Sequence, residues 1–130
     1  MSTQPSKRTV FVVDDNPTIA LTLGIILCRE GYISRSFNEP KEAIKAAESD
    51  SPDLLITDLV MPAMTGIELA GQIQHVTPHC KILLFSGPCS EFIATAENRQ
   101  HFDLLTKPVH PKVLLKKVDD VLNGHSSNSL

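Results

Sequence analysis

The chain has few cysteines, no excess of positive charge and no long apolar run, and each shortage excludes a class of protein. Its three cysteines, Cys28, Cys80 and Cys89, are odd in number and lack CxxC spacing, which argues against a disulfide framework or a structural zinc site. Reduced, mostly buried thiols are expected instead. Lys and Arg number 12 against 15 Asp and Glu, so the net charge is -3 and the pI about 5.9. That is the wrong sign for an electrostatic nucleic-acid binder, and no direct nucleic-acid partner is expected. No apolar run approaches the about 18 residues of a membrane span, and the opening "MSTQPSKR" lacks the apolar core of a secretion signal. The expectation is a soluble cytoplasmic protein with no membrane partner. At 130 residues and 42% hydrophobic, the chain can bury one core and is too short for two ordinary domains.

What is present is alternation. "TVFVVDD" (residues 9–15) is a β-branched run closing on two acids, and Pro17 stands where the first turn of a helix tolerates proline. Ile19, Leu23, Ile26 and Leu27 recur at helical steps before Gly31, giving a helix over about 17–30. "YISRSF" reads as a short strand, with Asn38 as the cap of a helix through "EPKEAIKAAES". "DLLITD" is apolar on both faces, as suits a central parallel strand covered by helices on both sides. The second half repeats the rhythm: "GIELAGQIQHV" helical, "KILLFSG" a strand, "PCSEFIATAENR" helical, "FDLLTKP" a strand and "HPKVLLKKVDDVLNG" a closing helix. Five βα units predict a doubly wound α/β sandwich, a five-stranded parallel sheet with five helices. The domain occupies residues 9–123, between polar tails at 1–8 and 124–130.

In such a sheet, ligands bind beyond the carboxyl ends of the strands, and the polar residues gather there. Asp14 and Asp15 end the first strand, Asp58 the third, Ser86 the fourth and Lys107 the fifth. Three acids brought together repel one another unless they share a cation. An oxygen-rich set without nearby His or Cys suits Mg²⁺ rather than zinc. Cation and lysine together would stabilise the equatorial oxygens of a phosphoryl group in transfer, and Asp58 is placed to accept it as an aspartyl phosphate. Blander readings exist for each residue: Asp15 and Asn16 as helix caps before Pro17, Asp58 as a turn former, Lys107 as a solvated loop charge. None explains why five polar groups fall at neighbouring strand ends. His75 and His79 have the spacing of helical metal ligands, but Pro78 interrupts a helix there, and all five histidines read as surface or packing residues. Lys112, Lys116 and Lys117 read as a solvated helix face.

The segments "VVDDN", "LLITDLVMPAMTGIEL", "LLFSG" and "LLTKP", in this order and spacing, resemble the receiver domain of two-component response regulators over about residues 8–123. The resemblance implies a flavodoxin-like three-layer sandwich. It makes Asp58 the phosphoacceptor, Asp15 a direct Mg²⁺ ligand, Asp14 a ligand through water and the backbone carbonyl of Val60 a further ligand. Ser86 corresponds to the switch hydroxyl and Lys107 to the lysine that pairs with the phosphoryl group, with a cis peptide between Lys107 and Pro108. The implied function is a phosphorylation switch rather than an enzyme. A histidine kinase or phosphotransfer protein would donate to Asp58, and the face formed by the fourth helix, fifth strand and fifth helix would change its affinity for a downstream protein. Only "HSSNSL" follows the closing helix, so a stand-alone receiver is expected.

Two departures qualify the resemblance. Leu104 stands where receivers usually carry Tyr or Phe, and Phe102, two residues earlier on the same face of the strand, is the expected partial stand-in. Val60 and Pro88 occupy the positions, two after the acceptor and two after the switch hydroxyl, that influence hydrolysis of the acyl phosphate in the family. Neither side chain can hydrogen-bond an attacking water, so slow self-dephosphorylation is expected. Other classes fit less well. A phosphatase of the haloacid dehalogenase type usually has a second Asp two residues after the first, where this chain has Val60. A constitutive, inactive receiver would usually have lost an acid or the lysine. A flavodoxin-like cofactor binder would need a Gly- or hydroxyl-rich phosphate loop after the first strand.

Overall fold

A computed structural model describes residues 7–87 and 102–124. Its strands and helices alternate as β1 (Thr9–Val13), α1 (Pro17–Arg29), β2 (Ile33–Phe37), α2 (Pro40–Ser49), β3 (Leu54–Asp58), α3 (Gly66–Val76), β4 (Lys81–Ser86), β5 (Asp103–Thr106) and α4 (Pro111–Leu122). All neighbouring strands are parallel, in the order β2-β1-β3-β4-β5, which is the doubly wound sheet expected. The further helix expected over "PCSEFIATAENR" lies outside the described residues, with Pro88, Cys89 and most of both tails.

The period of two along each strand divides the core into two faces. Phe11, Val13, Leu55 and Leu84 face one way and pack with Ala43 and Ala47 of α2 and Leu69, Ala70 and Ile73 of α3. Val10, Val12, Leu54, Ile56 and Phe85 face the other way, against Ala20 and Leu27 of α1 and Leu114, Val118 and Leu122 of α4. Burial on both sides explains why β1 and β3 read as unbroken apolar runs. β1 lies between β2 and β3, so the winding reverses there and leaves a crevice above the ends of β1 and β3.

Helix ends account for several residues differently from the sequence reading. Asn16 caps α1 alone, its side chain accepting from Thr18 N at 2.9 Å and Ile19 N at 3.3 Å. Asp15 is therefore exposed and free of a capping role. Gly31 follows α1 with φ of +107°, a left-handed turn that glycine adopts without a Cβ penalty. α2 is not capped by Asn38: its N-cap is Glu39, which makes no side-chain cap bond, and Pro40 starts the helix with its fixed φ. α3 opens with a reciprocal capping box between Thr65 and Glu68. His110, read as a surface or packing residue, caps α4 by accepting from Lys112 N at 3.1 Å.

Two expectations are overturned. Lys117 is not part of a solvated face: its side chain is only 12% exposed and pairs with Asp103 at 3.3 Å, tying α4 to β5. Lys116 does lie in solvent, beside Asp120 at 3.6 Å. Cys28 is exposed on α1, because its position falls off the stripe formed by Ala20, Gly24 and Leu27. Cys80 is buried as expected, and burial pushes its thiol up to about 12. No helix among the described residues is long and apolar enough to cross a membrane.

The two thiols should differ sharply in reactivity. At pH about 8, a thiol reagent should modify Cys28 in the folded protein and leave Cys80 intact until denaturant is added, because only the thiolate reacts. Peptide mapping by mass spectrometry reads each site separately. Early modification of Cys80 would contradict its burial in the cluster on the α2/α3 side of the sheet.

Candidate functional site

Strand register brings the site together. Val13 of β1 is level with Thr57 of β3, so the next residues, Asp14 and Asp58, emerge side by side. Asp58 is level with Phe85, and Ser86 with Thr106, so Ser86 and Lys107 arrive at the same edge. Each functional residue thus follows a strand whose apolar sides are fixed by the core. The sequence needed only to end those strands on polar residues.

Asp14 is 2% exposed, and both of its carboxylate oxygens are engaged. Oδ1 accepts from Asn16 N at 2.9 Å, and Oδ2 faces Lys107 Nζ at 3.1 Å. Lys107 Nζ also lies 3.4 Å from Asp58 Oδ2. Asp15 completes the group from its exposed position, and carboxylate oxygens of Asp14, Asp15 and Asp58 all lie within 4.8 Å of one another. One ammonium therefore pairs with two of three clustered carboxylates. Asp58 is raised above the usual carboxylate range, first by burial and then by the neighbouring Asp14 and Asp15, while Lys107 pulls the other way. Burial acts to lower Lys107, but Asp14 and Asp58 together outweigh it and hold the lysine above its ordinary value. The lysine stays charged, and burial is the main cause that holds Asp58 up.

Ser86 is fully buried at the tip of β4, and its hydroxyl has no hydrogen-bond partner among the described residues. A buried donor without a partner is costly and uncommon, which makes this hydroxyl available to a ligand. The Ser86 carbonyl accepts from Lys107 N at 2.8 Å, anchoring the start of the cis Lys107–Pro108 peptide to β4. Val60 follows Leu59 in the loop and is 50% exposed. Three carboxylates at this separation fit a hard divalent cation, whose ligands are oxygens and whose charge would relieve their repulsion.

The strand ends thus bring together Asp14, Asp15, Asp58, Ser86 and Lys107. Phe102 and Leu104 pack against the same α2/α3 face, as expected. However, Phe102 stands two residues further from the strand tip than Leu104, about 7 Å along an extended strand. The sequence reading missed the direct Asp14–Lys107 pair, which joins residues far apart in the chain. It also missed the Thr65–Glu68 box, whose T-x-x-E spacing was a visible signal.

Comparison with known proteins points to the same segments. The family profile described as the response regulator receiver domain matches residues 10–119. The transcriptional regulatory protein GlrR of Escherichia coli (strain K12) is 33% identical over 123 residues, covering 94% of this chain and 27% of GlrR. An uncharacterized 14.6 kDa protein in the sodA1 3′ region of Leptolyngbya boryana is 34% identical over 116 residues, 87% of this chain and 88% of that protein. Among solved structures, a CheY-like response regulator receiver domain protein from Methanospirillum hungatei JF-1 has a TM-score of 0.83 at 26% identity. That similarity covers 95% of this chain and 100% of the other. The chain spans about a quarter of the length of GlrR and most of the length of the other two.

The charge imbalance predicts opposite effects for two substitutions. In metal-free buffer at neutral pH, Asp58→Asn should raise the midpoint of thermal unfolding by a few degrees, since one of three repelling charges is removed. Lys107→Met should lower stability by about 1–3 kcal/mol, because Asp14 keeps a buried charge without its ion pair. Thermal unfolding of both variants beside the native protein measures this, and shifts of the same sign would contradict it.

Proposed function

The chain belongs to the response regulator receiver family, a family of non-enzymatic regulatory modules, and on that premise we propose that it is a phosphorylation-activated switch with Asp58 as its phosphoacceptor. The donor is the phosphohistidine of a histidine kinase or a phosphotransfer protein. The observation that carries the reading is the convergence of Asp14, Asp15, Asp58 and Lys107 at neighbouring strand ends. In this reading Mg²⁺ is held directly by Asp15 and Asp58, through water by Asp14, and by the backbone carbonyl of Val60. When bound, it supplies positive charge for the phosphoryl oxygens and relieves the crowding of the carboxylates.

The chain's own residues do the rest. An oxygen of Asp58 attacks phosphorus as the bond to the donor nitrogen breaks, and the electron pair leaves with the donor imidazole. Lys107, within 3.4 Å of Asp58 and 3.1 Å of Asp14, turns toward the new phosphoryl oxygens. The Ser86 hydroxyl, without a partner in the described residues, gains one by donating to the same group. These new contacts favour one arrangement of the flank built by β5 and α4. That flank carries an open groove of about 400 Å³ lined by Leu105, Val113, Lys112, Lys116, Lys117 and Asp120, a surface suited to a downstream protein. With a net charge of -3 the reading assigns protein partners rather than nucleic acid or lipid, in the cytoplasm.

Intact mass after incubation with Mg²⁺ and acetyl phosphate tests the assignment. The native protein should gain one phosphoryl group, and Asp58→Asn or chelation of the metal should abolish the gain. No gain by folded native protein would overturn the reading. The lifetime of the product is a second measurement. The Val60 side chain, half exposed beside the acceptor, has no atom to orient an attacking water, and Pro88 lies outside the described residues. The acyl phosphate should therefore persist for minutes or longer in the purified protein, and decay within seconds would contradict the role given to Val60.

A further inference from the structure

Gly66 is the first residue of α3, although alanine forms helices more readily than glycine. The reason lies in what its Cα touches. A β-carbon there would run into the carbonyl oxygen of Asp58 and crowd the Cα of Leu59. Both are main-chain atoms, which cannot rotate aside as the end of a side chain can. The Gly66 N–H donates to the Leu59 carbonyl at 2.7 Å, and the Leu59 N–H donates to the Phe85 carbonyl at 2.8 Å. Thr65 and Glu68 close the first turn of α3 through bonds of 2.9 and 3.1 Å. The first turn of the helix thus rests directly on the peptide that carries Asp58. Gly71, in the same helix, gives the contrast: a β-carbon there would meet nothing.

We propose that Gly66 is a positioning residue for Asp58: the seat of α3 on the Asp58–Leu59 peptide sets where the Asp58 carboxylate stands relative to Asp14, Asp15 and Lys107. The role in phosphoryl uptake rests on the reading of Asp58 as acceptor. Gly66 touches no reacting atom and acts only through the strand end. A methyl group at 66 forces the Asp58 backbone and the helix apart, and a misplacement near 1 Å can slow an alignment-dependent reaction by about 100-fold.

The experiment compares native protein, Gly66→Ala and Gly71→Ala in thermal unfolding, in Mg²⁺ affinity by calorimetry, and in the rate of phosphoryl uptake from acetyl phosphate. Gly71→Ala should match the native protein in affinity and uptake. Gly66→Ala should bind Mg²⁺ more weakly and take up phosphoryl about 10–100-fold more slowly while still folded. A merely structural role for Gly66 would lower the unfolding midpoint and leave the Mg²⁺ affinity of the folded protein unchanged, and that result overturns the proposal. If Gly66→Ala does not fold, the double variant Thr65→Ala/Glu68→Ala replaces it, since it keeps Gly66 and removes both capping bonds of the first turn. Weaker Mg²⁺ binding and slower uptake by the folded double variant then support the proposal, and native values overturn it. Absence of uptake by the native protein would sink the acceptor reading, and the Mg²⁺ affinities would still decide the placement of Asp58.

Discussion

Three carboxylates crowd together above the sheet, two of them share one ammonium, and the surrounding architecture holds that imbalance in place. Like charges this close would separate on a flexible loop. Here two of the three acids leave the ends of β1 and β3, strands buried on both faces by two apolar clusters. The hydrophobic burial that stabilises the domain therefore also holds together groups that repel. Asp14 has one oxygen on Asn16 N and the other on Lys107, so it is the settled member of the trio. Asp58 is pushed up by burial first and by its acidic neighbours next, with Lys107 opposing.

Much of this was legible in the chain because strand ends are set by local pattern. Largely apolar runs closing on Asp14, Asp58, Ser86 and Lys107 announce both the sheet and its polar edge. What the sequence hid is of two kinds. Choices between adjacent residues, such as Asn16 over Asp15 or Glu39 over Asn38 as caps, depend on backbone angles that the residue types leave open. Contacts between distant segments, such as Lys107 with Asp14 or Lys117 with Asp103, depend on register between strands and helices. Cys28 belongs to the first kind, since a shift of one position around α1 decides whether it meets the core or solvent. Gly66 belongs to the second. The sequence marks it only as a glycine near a helix start, and its close approach to Asp58 appears once β3 and α3 are placed.

The chain's departure at Leu104 also has a structural setting. Leu104 lies on one face of β5 and Leu105 on the other, so this four-residue strand touches both clusters, and Phe102, which was expected on the same strand, precedes it and packs on the Leu104 side. An aliphatic side chain at 104 fills the face without a ring to turn. Phe102 supplies a ring against the same cluster from just before the strand, away from the level of Ser86 and Thr106.

β5 is also unlike its neighbours in having one paired edge and no fully buried residue. Asp14 and Asp58 project from strands paired on both edges, whereas Lys107 follows β5. In terms of stiffness, the two sides of the ion cluster act as springs of unequal constant joined in series. On the proposed reading, a new charge at that junction would displace the softer side first, toward the lysine arm and the rim of the sheet.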